Sequence, residues 1–285
     1  MFKGFKVKKV ALLADPRSPE AAGRMQQAES EVRARLEDLE IECESYFGMA
    51  ARDIQPGDKV DLFLVLGGDG TMICYAGPLA HLKIPFFGIN YGNVGYMMNS
   101  LQEGLLAILL KLRNGRFRLW EFPLLEVAAT DLNGMVHRGL GLNDIYLQRM
   151  TAQTCRIDMH INGQPLAFNP ILCDGVIVST PLGSTAYSFN ATGSVVSIDC
   201  PVLTVTPLAA NRTCPIKSLM LPMDCAIAID VLEPLKRRVS VVSDGQDQGD
   251  ISHAEIRLSK RSVRLGFLSG SRENFPLRLI NKCRT

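Results

Sequence analysis

The residues best suited to chemistry in this chain are Gly67-Gly68-Asp69-Gly70-Thr71. Glycines and a threonine surround a single carboxylate. Glycine permits positive φ and lets a ligand come close to the backbone. Backbone N–H groups there, with a helix starting at Thr71, suit a phosphate. A carboxylate repels a phosphate, so Asp69 should face something else, such as a hydroxyl about to lose its proton. The alternative is a tight strand-to-helix turn in which Asp69 caps the helix. Residues 60–66, V-D-L-F-L-V-L, stand directly before the motif. They read as a strand buried on both faces of a parallel sheet. The motif therefore falls where such a strand ends, and in open α/β sheets that is where ligands bind.

Two further stretches carry polar groups at useful spacing. Asn90-Tyr91-Gly92-Asn93-Val94-Gly95 ends the apolar run at 84–89. Parallel-sheet logic puts it beside the first loop, and the two could form one crevice. Residues 174–188, D-G-V-I-V-S-T-P-L-G-S-T-A-Y-S, include six hydroxyl-bearing side chains and are broken by Pro181 and Gly183. Such a loop can offer O–H and N–H groups to a polar ligand, although a Ser/Thr-rich turn is commonly only a turn. The four histidines, at 81, 137, 160 and 253, lack triad or metal-site spacing. The eight cysteines, at 43, 74, 155, 173, 200, 214, 225 and 283, include no C-x-x-C pair for zinc or redox work.

The elements that must position these groups follow from periodicity and turn signals. A strand at 8–14, a helix at 18–39, strands at 41–47 and 60–66, a helix at 71–82, a strand at 84–89 and a helix at 102–113 alternate as a doubly wound, Rossmann-like α/β domain. Asn114-Gly115 marks the end of the last helix. From residue 116 strand-like runs replace the alternation: 121–130, 135–140, 143–147, 155–161, 171–180, 203–206, 226–232, 239–243, 254–258 and 263–268. They predict an all-β, sandwich-like domain over 116–269, after an α/β domain over 1–115. A length of 285 residues suits two domains, and an apolar content of 47% is ample for their cores. Net charge is +2, which gives no nucleic-acid or membrane footprint. The N-terminal apolar run is too short for a signal peptide, and no segment approaches a membrane span. The expectation is a cytoplasmic protein with reduced thiols and no membrane partner.

Taken together, Gly67–Thr71, Gly88-Ile89-Asn90 with Gly92 and Gly95, Asn143-Asp144, Asp174-Gly175 and S-T-P-x-G-S-T-A-Y-S at 179–188 resemble the NAD kinases. The motifs occur in the family's order over about residues 8–268. The G-G-D-G-T motif is shared with diacylglycerol kinases, sphingosine kinases and phosphofructokinases. The 179–188 stretch is specific to NAD kinases. The resemblance implies transfer of the terminal phosphoryl of ATP to the adenosine ribose 2′-hydroxyl of NAD, giving NADP, at a site between the two domains.

The same resemblance implies residue roles. Asp69 would be the general base and also touch NAD, with Gly70. Gly67, Gly68, Gly70, Thr71, Asn90 and Gly92 would line the phosphates. Asn143 and Asp144 would hold the adenine and ribose region of NAD. Asp174, then Thr185, Ala186, Tyr187, Ser188, Phe189 and Asn190, would wrap the dinucleotide, with Ala209 and Gln246 as further contacts. Mg²⁺ or another divalent cation would arrive with ATP, since the sequence has no dedicated metal cage. Members are usually homo-oligomers, which implies a dimer or tetramer, and the tail at 270–285 would pack back on the first domain. Departures are Cys74 and Leu172, where many members carry basic residues, and Ser194, where Pro is frequent. A lipid or small-alcohol kinase on the same glycine core, and a non-catalytic dinucleotide-binding protein, are the competing readings.

Overall fold

The computed structural model describes residues 2–15, 19–92 and 95–268. The chain forms two compact units. One runs to Phe122 and resumes at Ser262; the other is Pro123–Arg261. The sequence placed the change of character at 115. The chain instead passes from one unit to the other inside two long strands. The tail at 270–285 lies outside the described residues.

The first unit contains β1 (Phe2–Lys3), β2 (Lys9–Ala14), α1 (Pro19–Asp38), β3 (Glu42–Phe47), β4 (Leu62–Gly67), α2 (Asp69–Leu79), β5 (Phe86–Asn90) and α3 (Leu105–Arg113). β2 pairs in parallel with β3 on one side and β4 on the other, and β4 pairs with β5. Leu265 and Gly266 then pair in parallel with Phe86 and Phe87. The order of strands thus reverses between β2 and β4, which makes that gap the topological switch point. Gly67, the last residue of β4, sits at it.

Side-chain alternation explains the layers. Val10, Leu12, Leu62, Leu64 and Leu66 share a core with Val32 and Leu36 of α1 and Ile108, Leu109 and Leu112 of α3. Phe63 and Phe86 have the opposite parity and stack at 4.8 Å. All six residues of β4 are buried, as expected for a strand covered on both faces. Each such Leu or Phe contributes about 1.5–3 kcal/mol by leaving water.

Helix ends follow local chemistry. Gly115, at φ +67, lets its own N–H reach Leu112 O and that of Arg116 reach Lys111 O, which closes α3. α2 stops at Leu79, short of the expected 82. It contains Pro78 and gives way to a 3₁₀ turn, Ala80–Leu82, closed by Lys83 at φ +57.

The second unit is built from β6 (Arg118–Asp131, entering from the first unit), β7 (Val136–Gly141), β8 (Asp144–Arg149), β9 (Cys155–Ile161), β10 (Gln164–Pro165), β11 (Ile171–Cys173), β12 (Gly175–Ser179), α4 (Tyr187–Thr192), β13 (Val202–Leu208), β14 (Leu219–Pro222), β15 (Ile227–Val231), β16 (Val239–Ser243) and β17 (Gln246–Phe267, returning to the first unit). One antiparallel sheet runs β14-β13-β12-β8-β16-β17. Another joins β11, β9, β15 and β17, with β6 and β7 beyond. Ile145 and Leu147, Val176 and Val178, and Val239 and Val241 face Ile157 and Met159, Ile227 and Ile229, and Ala254 and Ile256 in one core. This two-residue period from two sheets is a sandwich.

Three expectations change in detail. The strands read at 254–258 and 263–268 are one, β17, which continues through Ser259-Lys260-Arg261-Ser262. The run at 171–180 is split at Asp174. Four short elements, β1, β10, α4 and β14, are outside the runs that periodicity predicts.

Candidate active site

The first glycine loop is shaped by its own backbone. Gly67 has φ +148, and a Cβ there would lie 2.4 Å from Thr71 Oγ1. Gly68 caps α2, and its carbonyl accepts from the N–H groups of Thr71 and Met72 at 3.0 and 3.1 Å. A Cβ added to Gly68 would meet nothing within 4 Å. The second loop lies alongside. Asn90 pairs with Gly67 across β4 and β5, and Tyr91 N–H donates to Gly67 O at 2.9 Å. A Cβ on Gly92 would come 3.6 Å from Gly68 Cα, and Gly92 N–H donates to Asn90 Oδ1 at 3.0 Å. The expected juxtaposition of Gly67, Gly68, Asn90 and Gly92 is therefore present. Gly70 is half-buried beside Thr71, which is buried.

Asp69 opens α2. Its Oδ2 accepts from Tyr96 N–H and its Oδ1 from Met97 N–H, both at 2.9 Å. The carboxylate thus latches the chain beyond the second glycine loop. Neither the base reading nor the helix-cap reading of the sequence contained this partner, because nothing in residues 95–98 announces it.

In the second unit the start of β8 is tightly held. Asn143 and Asp144 are buried. Asp244 Oδ2 accepts from Leu142 N–H at 2.6 Å, and its Oδ1 accepts from Asn143 and Asp144 N–H at 2.9 and 3.2 Å. Asn143 O accepts from Thr180 N–H at 2.9 Å, and a Cβ on Gly183 would lie 2.0 Å from it. Only glycine lets the 180–183 turn press so closely on Asn143. Asn143 Oδ1 is buried without a hydrogen-bond partner. Burial, and then the negative charge of Asp244, push the Asp144 carboxyl up to about 7, while Tyr187 N–H opposes the shift. Burial pushes Asp244 up to about 6 against its three N–H donors.

The hydroxyl-rich segment divides by role. Ser179 and Thr180 donate to the carbonyls of Thr180 and Leu142, Ser184 to Pro181 O and Thr185 to Leu182 O. These hydroxyls build the turn. Tyr187 is more open and meets Tyr146 edge-on at 5.0 Å. Ser188 is buried, Ala186 and Phe189 are half-buried, and Asn190 is exposed.

Asp174 and Ala209 lie apart from Asn143-Asp144. Asp174 precedes β12, whose far end pairs Ser179 with Asp144. Five residues of strand span roughly 16 Å. Arg149 Nε holds Asp174 Oδ1 at 2.6 Å. Asp174 N–H donates to Leu208 O, next to Ala209. Ala209 is exposed at φ +45, an unfavourable conformation for a residue with a Cβ. With Thr192, Ser194, Lys217 and Ser218 it lines a cavity of about 590 Å³. Gln246 is exposed just after the Asp244-Gly245 turn. Sequence reasoning missed Asp244; Asp244-Gly245 is a hairpin signal, but such a pair does not give the direction of the carboxylate.

Fold and loops together define a class: a doubly wound α/β unit with its glycine loops at the switch point, carried in one chain with a β-sandwich. Known proteins narrow it. Residues 13–117 match the ATP-NAD kinase N-terminal domain, and residues 142–265 match the ATP-NAD kinase C-terminal domain. An NAD kinase of Rhizorhabdus wittichii is 34% identical over 209 residues, 73% of this chain and 79% of that one. An NAD kinase of Caulobacter vibrioides is 35% identical over 211 residues, 73% and 78% of the two chains. A crystal structure of an Archaeoglobus fulgidus NAD kinase in complex with ATP shares the fold with a TM-score of 0.73 at 24% identity, covering 96% of this chain and 99% of that one. Yeast NADH kinase complexed with NADH gives 0.78 at 20% identity, covering 98% and 88%. The chain belongs to the NAD kinase family, whose members are phosphotransferases.

Proposed function

We propose that this chain moves the terminal phosphoryl group of ATP to the 2′-hydroxyl of the adenosine ribose of NAD, giving NADP, with Asp69 as general base. One observation carries the role of Asp69: it is the single carboxylate of a glycine loop that otherwise presents backbone to a ligand. Its two backbone bonds fix its position. In the transfer the 2′-oxygen forms the new O–P bond, its proton goes to Asp69, and ADP leaves with the electrons of the broken bond. A positioned base contributes about 10²–10⁴-fold; the rest is positioning and charge neutralisation.

Gly67, Gly68, Gly70, Thr71, Asn90 and Gly92 take the donor's phosphates in this reading. Asn143 Oδ1, a buried acceptor lacking a donor, suits an amino group such as that of adenine. Asp144 suits ribose hydroxyls. Asp174, the 185–190 segment, Ala209 and Gln246 take the rest of the dinucleotide. Among the described residues no cluster of three or more His, Cys, Asp or Glu is arranged for a metal ion. Mg²⁺ or a similar cation is read as entering with the triphosphate, whose charge it neutralises. No described helix is long and apolar enough to cross a membrane. We read the protein as a cytoplasmic homo-oligomer, a dimer or tetramer, which light scattering would test.

The decisive assay incubates purified protein with ATP, Mg²⁺ and NAD and measures NADP. Wild type should form it, and Asp69→Asn should lose most of the turnover while still binding NAD. No NADP from wild type defeats the reading. Turnover within a few-fold of wild type in Asp69→Asn defeats the base assignment alone.

A further inference from the structure

Three successive backbone N–H groups, those of Leu142, Asn143 and Asp144, converge on one carboxylate. Successive N–H groups of this kind form an anion-binding concavity, and here a side chain of the same protein fills it. That side chain, Asp244, comes from the hairpin between β16 and β17. The contact is reciprocal, because Asp244 N–H donates to Asp144 O at 3.1 Å. An Asp-Gly turn needs positive φ at both residues, and Asp244 and Gly245 have φ +48 and +81. An ordinary turn aspartate caps its own loop or points to water. Asp244 reaches instead into the one backbone stretch that carries Asn143 and Asp144.

From this geometry we infer that Asp244 is the positioning residue for the acceptor substrate: it fixes the backbone of Asn143 and Asp144 so that their side chains meet the adenosine of NAD. The inference rests on the reading that Asn143 and Asp144 hold NAD, and adds a residue that does not touch the substrate. Two observations make backbone placement matter there. The Asn143 side-chain oxygen is buried without a hydrogen-bond partner, so no hydrogen bond from a neighbour holds it and the placement of its backbone matters. The backbone is also clamped from the other side, where Thr180 N–H bonds Asn143 O and Gly183 leaves no room for a Cβ. Asp244 supplies the opposing hold. Loosening it lets Asn143 and Asp144 turn without disturbing the glycine loops of the first unit.

The test uses the full-length enzyme with Asp244→Asn, Asn143→Ala and the double variant. Asn keeps one oxygen, but its amide then faces a backbone N–H, donor against donor. KM for NAD, KM for ATP and kcat are measured for each. Asp244→Asn should raise KM for NAD about tenfold while kcat and KM for ATP stay within about twofold. In the Asn143→Ala background the same change should add less than about threefold, because both act through one contact. Full multiplication of the two effects, or equal rises in both KM values, would overturn the positioning role and leave only a turn residue. If Asn143→Ala itself leaves KM for NAD unchanged, the reading beneath falls, and with it the inference. If Asp244→Asn does not fold, Gly245→Ala replaces it. A Cβ there meets nothing within 4 Å, so only the positive φ is strained. KM for NAD should then rise about threefold with KM for ATP unmoved; an unchanged KM for NAD overturns the inference.

Discussion

A carboxylate that accepts two backbone N–H groups loses an acceptor when it becomes an amide. Asp69→Asn therefore does more than remove a base: its amide nitrogen would face Tyr96 or Met97 N–H. An unpaired donor costs about 1–3 kcal/mol, so thermal unfolding of this variant should fall by about 2–6 °C. An unchanged melting point would mean that the latch carries no stability. Asp144 allows a prediction with a pH sign. Its carboxyl is raised to about 7 in the folded chain, and Asp244, at about 6, titrates beside it. An unfolded aspartate titrates near ~4. Between these values the folded state keeps a proton that the unfolded state has lost, so this stability is complete below about pH 4 and is lost as pH rises towards about 7. Relative to wild type, Asp144→Asn should gain melting temperature steadily from pH 5 to pH 7 and then level off. A flat difference across that range would refute the assignment. NAD binding runs the other way, because the ionised carboxylate is the better acceptor for ribose hydroxyls; KM for NAD should fall as pH rises towards about 7. At this scale the sequence showed which residue types could do chemistry, but not their partners. Asp69, Asp174 and Asp244 each find a partner through chain pairing that residue spacing does not encode.

At the scale of elements, neighbouring glycines in one loop answer to different constraints. Gly67→Ala meets Thr71 at 2.4 Å with φ at +148, so it should destabilise the β4–α2 junction by several degrees. Gly68 has an ordinary φ of −117 and open space where a Cβ would go. Gly68→Ala should fold with a melting point within a few degrees of wild type. If a phosphate approaches the backbone there, the methyl group blocks it, and KM for ATP should rise well above tenfold while KM for NAD moves little. A Gly68→Ala enzyme with normal KM for ATP would place the donor elsewhere. Elements were largely legible where periodicity and punctuation agree: β4 with its apolar run, α3 with Asn114-Gly115, β9 ending at Asn162-Gly163. They were not where punctuation is absent or false. Ser259-Lys260-Arg261-Ser262 reads as a loop, yet it lies within β17, whose alternation resumes at Val263 and Leu265. Residues 246–253 are too polar to announce a strand; antiparallel pairing, first with β16 and then with β15, makes one of them.

Across the whole molecule, the two units have separate cores, and, Asp69 apart, the groups proposed for the donor and those proposed for the acceptor fall in different units. The division gives a prediction that needs no turnover. A ligand that binds only the folded state stabilises it by RT ln(1 + [L]/Kd), about 2.7 kcal/mol at one hundred times Kd. Wild type should therefore melt higher with saturating NAD, and higher again with ATP and Mg²⁺. In Asn143→Ala the NAD shift should vanish at the same concentration while the ATP shift persists. In Gly68→Ala the pattern should invert. Adenosine monophosphate sharpens the test, because it carries the adenosine of NAD without the second nucleotide. If Asp174, Tyr187 and Ala209 hold that second half, the monophosphate should give only a small shift in wild type and be a far poorer acceptor. Each hydrogen-bonding group left unpaired costs about 1–3 kcal/mol, so several together separate the two acceptors by large factors. Tyr187→Ala should narrow that gap by weakening NAD while leaving the monophosphate nearly unchanged. Thr185→Ala should lower the melting point, since its hydroxyl donates to Leu182 O inside the turn. A Tyr187→Ala enzyme that loses both acceptors equally would assign this segment to folding alone, and acceptor choice would then rest on Asn143 and Asp144.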